Sequence, residues 1–439
     1  MKNCIGSVFC FLIIVLAGNA QPADPEEMVL EVKTESYVVT GGEDTRYMAA
    51  IGRKGFMIWD SQENVISRGS WATDCFACKA QVLNDHLIML KNDTKEKKVY
   101  AHIYGIDGKY LGRKDLTENK QSYYFPYAQT SLNGRFALYE AQKNKNGFFE
   151  PRGYIGLNAN AQLLWSIDIK SFEKEYGAPI KSYQIDNEGN GIFLLVKDEK
   201  ENHVFTMIRI PAGGGSPQQK IIKIARQNTE VNGFGLTMHP DGRVLMYANY
   251  YNRMYNQQLK HGFVYGVVDF GAQDTPSLKQ VQRNWTRKLE YMPNHLQGFF
   301  AGDDFYFANE VMFKVVGPGN DDVFFILNKV DGNGNILHEL KIPCAISFVS
   351  SSCSSYMAEV NNGNLVVAYV RKGEKGETTF VSEYKMLDET FKELKSAVIE
   401  QRVGVTADLY NHQIRVIDKY ALIGVPRLDY IWLLLDTEK

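Results

Sequence analysis

Short apolar runs that alternate with polar residues follow one another along almost the whole chain, and small polar turns separate them, which predicts β-strands rather than helices. Eight of these turns form one set: Gly42-Glu43-Asp44, Asn84-Asp85, Asn133-Gly134, Glu188-Gly189-Asn190, Asp241-Gly242, Gly302-Asp303, Asn362-Gly363 and Asp418-Lys419. They recur roughly every 42 to 61 residues, the length of a four-stranded unit with loops of variable size. A second set alternates with the first, at Ser61-Gln62, Asp107-Gly108, Ala159-Asn160, Gly213-Gly214, Asp274-Thr275, Gly332-Asn333 and Asp388-Glu389. Each unit therefore reads as strand, tight turn, strand, variable loop, strand, tight turn, strand. The clearest copy has its strands at 81–83, 86–90, 99–106 and 110–113.

The last unit offers three strands, 414–417, 422–425 and 430–435, before the chain ends, and 28–32 can supply the fourth. Pairing the two ends of the chain would close a ring and remove exposed sheet edges. The expected fold is all-β: a β-propeller of eight four-stranded antiparallel blades closed by N- and C-terminal strands, forming one domain over 21–439. The count drops to seven if 28–40 is a single irregular strand, because only four residues separate Val32 from Tyr37. Helical pattern is confined to short segments such as Ile169–Tyr176.

Three segments share a further look: 103–111 (IYGIDGKYL), 157–165 (LNANAQLLW) and 327–337 (LNKVDGNGNIL). They resemble the repeat of the quinoprotein-like (PQQ-like) propellers, a superfamily often eight-bladed. What the resemblance implies is blade geometry. The chain lacks that family's regular tryptophan in each blade and the adjacent cysteine pair of its quinone-binding members, so no cofactor is expected.

Composition adds the setting. Lys2 followed by an apolar run at 5–16 and the small residues Gly18-Asn19-Ala20 reads as a signal peptide over 1–20. The run is shorter than the roughly 20 residues a membrane-spanning helix needs. A secreted or periplasmic product without a membrane span is expected, and no nucleic-acid partner, because 49 basic and 51 acidic residues are scattered without a basic stripe. Four cysteines follow the leader, Cys75 with Cys78 and Cys344 with Cys353, and in an oxidising compartment they are read as two local disulfides.

No nucleophile elbow, phosphate loop or calcium loop occurs, and the eight histidines show no metal-ligand spacing, so no metal is expected. The loops that follow the second strand of blades 3, 5 and 6 are instead aromatic and polar. Flat rings stack on apolar ligand faces while amides and guanidinium groups satisfy hydroxyls or carboxylates. From these loops the candidate ligand-binding residues are Phe149, Arg152, Tyr250, Tyr251, Arg253, Tyr255, Asn309 and Glu310; the connection into blade 3 adds Tyr123, Tyr124 and Tyr127, and His412 joins them from the entry to an innermost strand near the channel. The expected function is a monomeric, non-catalytic binding protein for a glycan or protein ligand. The alternative is a carbohydrate-active enzyme, a polysaccharide lyase or a glycoside hydrolase. The lyase form would use His295 or Tyr255 as base, and Arg253 would neutralise a uronate.

Overall fold

Turn chemistry shapes the fold, as a computed structural model of the chain shows. Its described residues run from 28 to 437 and exclude a number of connections, the longest being 73–78, 117–123, 253–260, 314–321, 345–355, 373–378 and 404–412. At several hairpin ends an aspartate folds back on its own turn. Asp60 Oδ1 accepts the backbone N–H groups of Gln62 and Asn64, both at 2.9 Å. Asp186, Asp331 and Asp388 repeat the arrangement two and four residues on. Such side chains mimic a backbone turn and stop the strand there. Asn362 and Gly363, at φ 50° and 78°, take the left-handed pair that a tight hairpin requires.

The strands between these turns form eight antiparallel sheets, seven of four strands and one of five. The innermost strands are Tyr37–Thr40, Lys79–Leu83, Tyr124–Thr130, Ile180–Ile185, Thr229–Met238, Leu296–Ala301, Tyr356–Asn361 and Gln413–Ile417. Each contacts the next, and the last contacts the first, so the ring is closed and the blade count is eight. In the eighth blade Met28–Lys33 is the outermost strand. It pairs antiparallel with Asp429–Asp436, from Met28 opposite Leu434 to Lys33 opposite Asp429. The short link after Val32 is thus the step from blade 8 to blade 1, and the ring is fastened by both ends of the chain.

The core lies between blades rather than at a centre. Each buried apolar cluster draws on two successive blades, from blades 1 and 2 (Ile58, Leu87) to blades 7 and 8 (Tyr384, Ile423). The seam of blades 5 and 6 is aromatic, with Phe263 and Phe307 rings 4.3 Å apart and Tyr265 5.1 Å from Phe305. Burying each such ring contributes about 1.5–3 kcal/mol. Gly235 and Gly298 leave room there for Tyr247, whose ring a Cβ would approach to 2.2 and 2.7 Å.

The described tight turns share one face, and polar contacts link neighbours across it. Asn84 N–H donates to Gly134 O at 3.0 Å, Asn133 Nδ2 to Asn187 O at 2.9 Å, and Asn187 Nδ2 to Pro240 O at 3.4 Å. The strand ends that lead into the variable loops and the connections between blades lie on the opposite face. Both expected sets of turns fall between the strands they were read to join.

The aromatic loops were read too long. Phe148 through Arg152 belong to the strand Phe148–Asn158, Tyr250 and Tyr251 end the strand Val244–Asn252, and Asn309 through Phe313 close the strand Asp304–Phe313. Aromatic and β-branched residues extend a ladder as readily as they decorate a loop. In blade 3 the extension is marked by a bulge: Ala141 pairs with Gly153 and Gln142 with Pro151, leaving Arg152 as the extra residue. Pro151 has no N–H to give the ladder, which is where bulges are tolerated.

Candidate functional site

The second strand of blade 3, Phe136–Lys145, turns Leu138, Glu140 and Gln142 toward blade 4 by simple alternation. Leu138 joins the apolar seam with Ile185 and Phe193, as the position demands. Two residues on, the same side carries a carboxylate. Glu140 is 6% exposed, and burying a charge is costly unless partners satisfy it.

Its neighbours come from three strands. On its own sheet Glu140 lies opposite Tyr127 on the innermost strand and opposite Tyr154 on the third. From blade 4 the Tyr183 hydroxyl donates to Glu140 Oε2 at 2.8 Å, while Gln142, two residues along Glu140's own strand, donates from Nε2 to Oε1 at 2.5 Å. The Tyr154 and Tyr183 rings sit 4.5 Å apart, with Phe193 behind Tyr154 at 5.4 Å. Burial, reinforced by the negative charge of Glu140, pushes both phenols far above the ordinary tyrosine range. They are donors and ring faces, not bases, at neutral pH.

Blade 7 holds an instructive counterpart. Glu383 accepts from the Tyr369 hydroxyl at 2.6 Å and also pairs with Arg371 Nε. Glu140 has the tyrosine without the arginine: among the described residues both its donors are neutral. A carboxylate oxygen retains acceptor capacity after one hydrogen bond. The arrangement can therefore take up positive charge.

A second polar group bridges blades 5 and 6. Asn309 Nδ2 donates to Asn249 Oδ1 at 2.9 Å, and both residues are fully buried. Among the described residues Asn249 Nδ2 and Asn309 Oδ1 have no hydrogen-bond partner. Nearby on blade 5, the Tyr251 hydroxyl donates to Glu230 Oε2 at 2.6 Å.

Of the residues proposed from sequence, Tyr127 is 58% exposed on a channel-lining strand and adjoins Glu140. Arg152 is half-buried and ion-paired with Glu150. Tyr250 and Asn309 are corrected: Tyr250 packs in the core between blades 4 and 5, and Asn309 is walled in between blades 5 and 6. Neither presents a surface for stacking, because the strands run on past the expected loop start. Tyr124, Phe149 and Glu310 lie in strands. Tyr123, Arg253, Tyr255, His295 and His412 lie outside the described residues, as do Cys75, Cys78 and Cys353. Cys344 ends the outermost strand of blade 6, half-buried. Glu140, Tyr154 and Tyr183 were not read from the sequence. The available signal was an acid at an inward-facing position of an apolar strand. Among the described residues no three His, Cys, Asp or Glu side chains gather as metal ligands.

No protein-family model matches the chain, and no curated protein sequence matches it, so the likeness to the quinoprotein-like repeat rests on its residues alone. Solved structures do align with it. A polysaccharide lyase, Uly1, covers 91% of this chain and 91% of its own at 9% identity and a TM-score of 0.41. The β-propeller domain of the trilobed protease from Pyrococcus furiosus covers 71% of this chain and 81% of its own, at 13% identity and TM-score 0.39. An α-L-arabinanase from Penicillium chrysogenum, complexed with arabinobiose, covers 72% and 94%, at 11% identity and TM-score 0.37.

Proposed function

We propose that the chain is an exported, non-catalytic binding protein that receives a glycan or protein ligand at the channel side of blades 3 and 4. One observation carries this reading. Tyr127 exposes 58% of its surface from an innermost strand. Every other strongly exposed large apolar side chain among the described residues, from Val65 to Val398, stands on the outermost strand of its blade. Scattered apolar residues on an outer surface need no explanation, whereas an open ring beside buried polar groups is what ligand sites present.

The test is a comparison of the mature protein with its Tyr127→Ala variant on arrays of glycans and of peptides. The expected result is at least one ligand whose affinity falls about tenfold or more in the variant, the loss of roughly 1.4 kcal/mol. Ligands bound equally by both proteins would overturn the assignment of this site. Unsaturated products released from any acidic glycan, seen by absorbance, would overturn the non-catalytic reading.

A further inference from the structure

We infer that the blade 3–4 site recognises a single organic cation, the side chain of a lysine or arginine presented by a protein or peptide partner. The inference rests on the binding function proposed above and names the ligand chemistry of the same site.

Three observations converge on it. Glu140 is buried, and its two donors, Tyr183 and Gln142, are neutral. A carboxylate buried to this extent and held by neutral donors has no counter-charge among the described residues, and an incoming positive group supplies one. Three phenol rings surround it: Tyr127 and Tyr154 as its cross-strand partners, and Tyr183 from the next blade. Aromatic faces carry the negative end of the ring quadrupole and attract cations. A carboxylate backed by rings thus offers a positive group both a counter-charge and polarisable walls.

The gradient of exposure selects the shape of that group. Tyr127 is 58% exposed and Glu140 only 6%. A ligand must pass an open ring to reach a deep carboxylate, which suits an alkyl stem with a charged head. Neutral sugars offer Glu140 hydroxyl donors but no counter-charge, and acidic ones are repelled by it. A divalent metal is disfavoured because no second and third acidic or imidazole ligand joins Glu140 among the described residues. The counterpart in blade 7 shows the same recognition made within the chain, where Arg371 occupies the place beside Glu383 and Tyr369. In blade 3 the carboxylate stands on the second strand and its tyrosine comes from the next blade, and among the described residues no cation joins the pair, so a partner is left to bring one.

Fluorescence anisotropy on the mature chain tests this with labelled pentapeptides that differ only at a central lysine, arginine, norleucine or glutamate. Lysine and arginine peptides are expected to bind at least tenfold more tightly than norleucine, and glutamate least. Glu140→Gln should bring the lysine and arginine peptides down to the norleucine level. Tyr183→Phe, which leaves the charge in place, should keep the preference, and Glu383→Gln on blade 7 should keep it too. Equal binding of lysine and norleucine peptides, or a preference that persists in Glu140→Gln, overturns the inference. A neutral glycan lost in Tyr127→Ala but retained in Glu140→Gln would overturn the cation and leave the binding site standing.

Discussion

Two carboxylates with a tyrosine donor, one compensated and one not, allow the reasoning about Glu140 to be tested through stability alone. Replacing Glu140 by Gln removes a buried charge that has no cation partner among the described residues and keeps an oxygen for the Tyr183 hydroxyl. Such a change is expected to cost less than about 1 kcal/mol, or to stabilise, because the desolvation penalty of the charge disappears. Replacing Glu383 by Gln instead takes a charge from Arg371 and from the Tyr369 hydroxyl. Arg371 is partly open, so the ion pair is screened, and the two losses together are expected to cost about 1–3 kcal/mol. A double-mutant cycle completes the comparison. Tyr183→Phe deletes a hydrogen bond of 2.8 Å to a charged acceptor, a contact worth about 1.5–3 kcal/mol. In the Glu140→Gln background the acceptor is neutral and the same deletion should cost about 0.5–1.5 kcal/mol. The coupling is therefore about 1–1.5 kcal/mol, above what non-interacting sites show. Urea unfolding at pH 7 measures all of these. If Glu140→Gln costs more than Glu383→Gln, or if the cycle yields no coupling, Glu140 is a structural carboxylate and the argument for its unfilled role fails.

Three further expectations concern the rest of the ring. Burial, with Lys91 and Arg113 nearby, lowers His102 to about 4, so the folded protein keeps it neutral while the unfolded chain protonates it near 6.5. That contribution is complete above pH 6.5 and is lost as pH falls toward 4. Wild type should lose on the order of 2–3 kcal/mol across that window relative to His102→Asn, and parallel profiles would refute it. Burial and neighbouring acids raise Tyr265 and Tyr306 to about 12. Their contribution is intact below pH 10 and declines from pH 10 to 12; tyrosinate absorbance in the folded protein that rises fully around pH 10 would contradict this. Asn309→Leu removes the donor to Asn249 and leaves that amide buried without it. A loss of about 1–3 kcal/mol in unfolding experiments is expected, and no loss would mean the amide pair is dispensable.

The architecture was legible because its signals are local. Asn133-Gly134 or Asp331 announces a turn through its own backbone and side-chain chemistry, wherever the strands then go. The same holds for the helix at Ile169–Tyr176, bracketed by Asp168, which caps Ser171 N–H, and by Gly177 at φ 68°. Closure by Met28–Lys33 followed from a count of strands in the last unit. The loop face was harder to read for the opposite reason. Tyr250 and Asn309 give the same signal on a loop or at the end of a strand, and only the register across Asn249–Phe263 and Asn309–Ile326 distinguishes the two. The site itself joins residues 127, 140, 154 and 183, and no local pattern reveals that Tyr183 of one blade reaches Glu140 of another.

Photocrosslinking offers the most direct test that ligand meets the ring at the channel side of blade 3. A photoreactive phenylalanine is placed at Tyr127 in one variant and in another at Tyr110, an exposed tyrosine on the outermost strand of blade 2. Each is irradiated with the lysine pentapeptide. Adducts at position 127 that excess unlabelled peptide removes, with none at 110, are predicted. Equal labelling at the two positions, or labelling at 110 alone, would contradict the account.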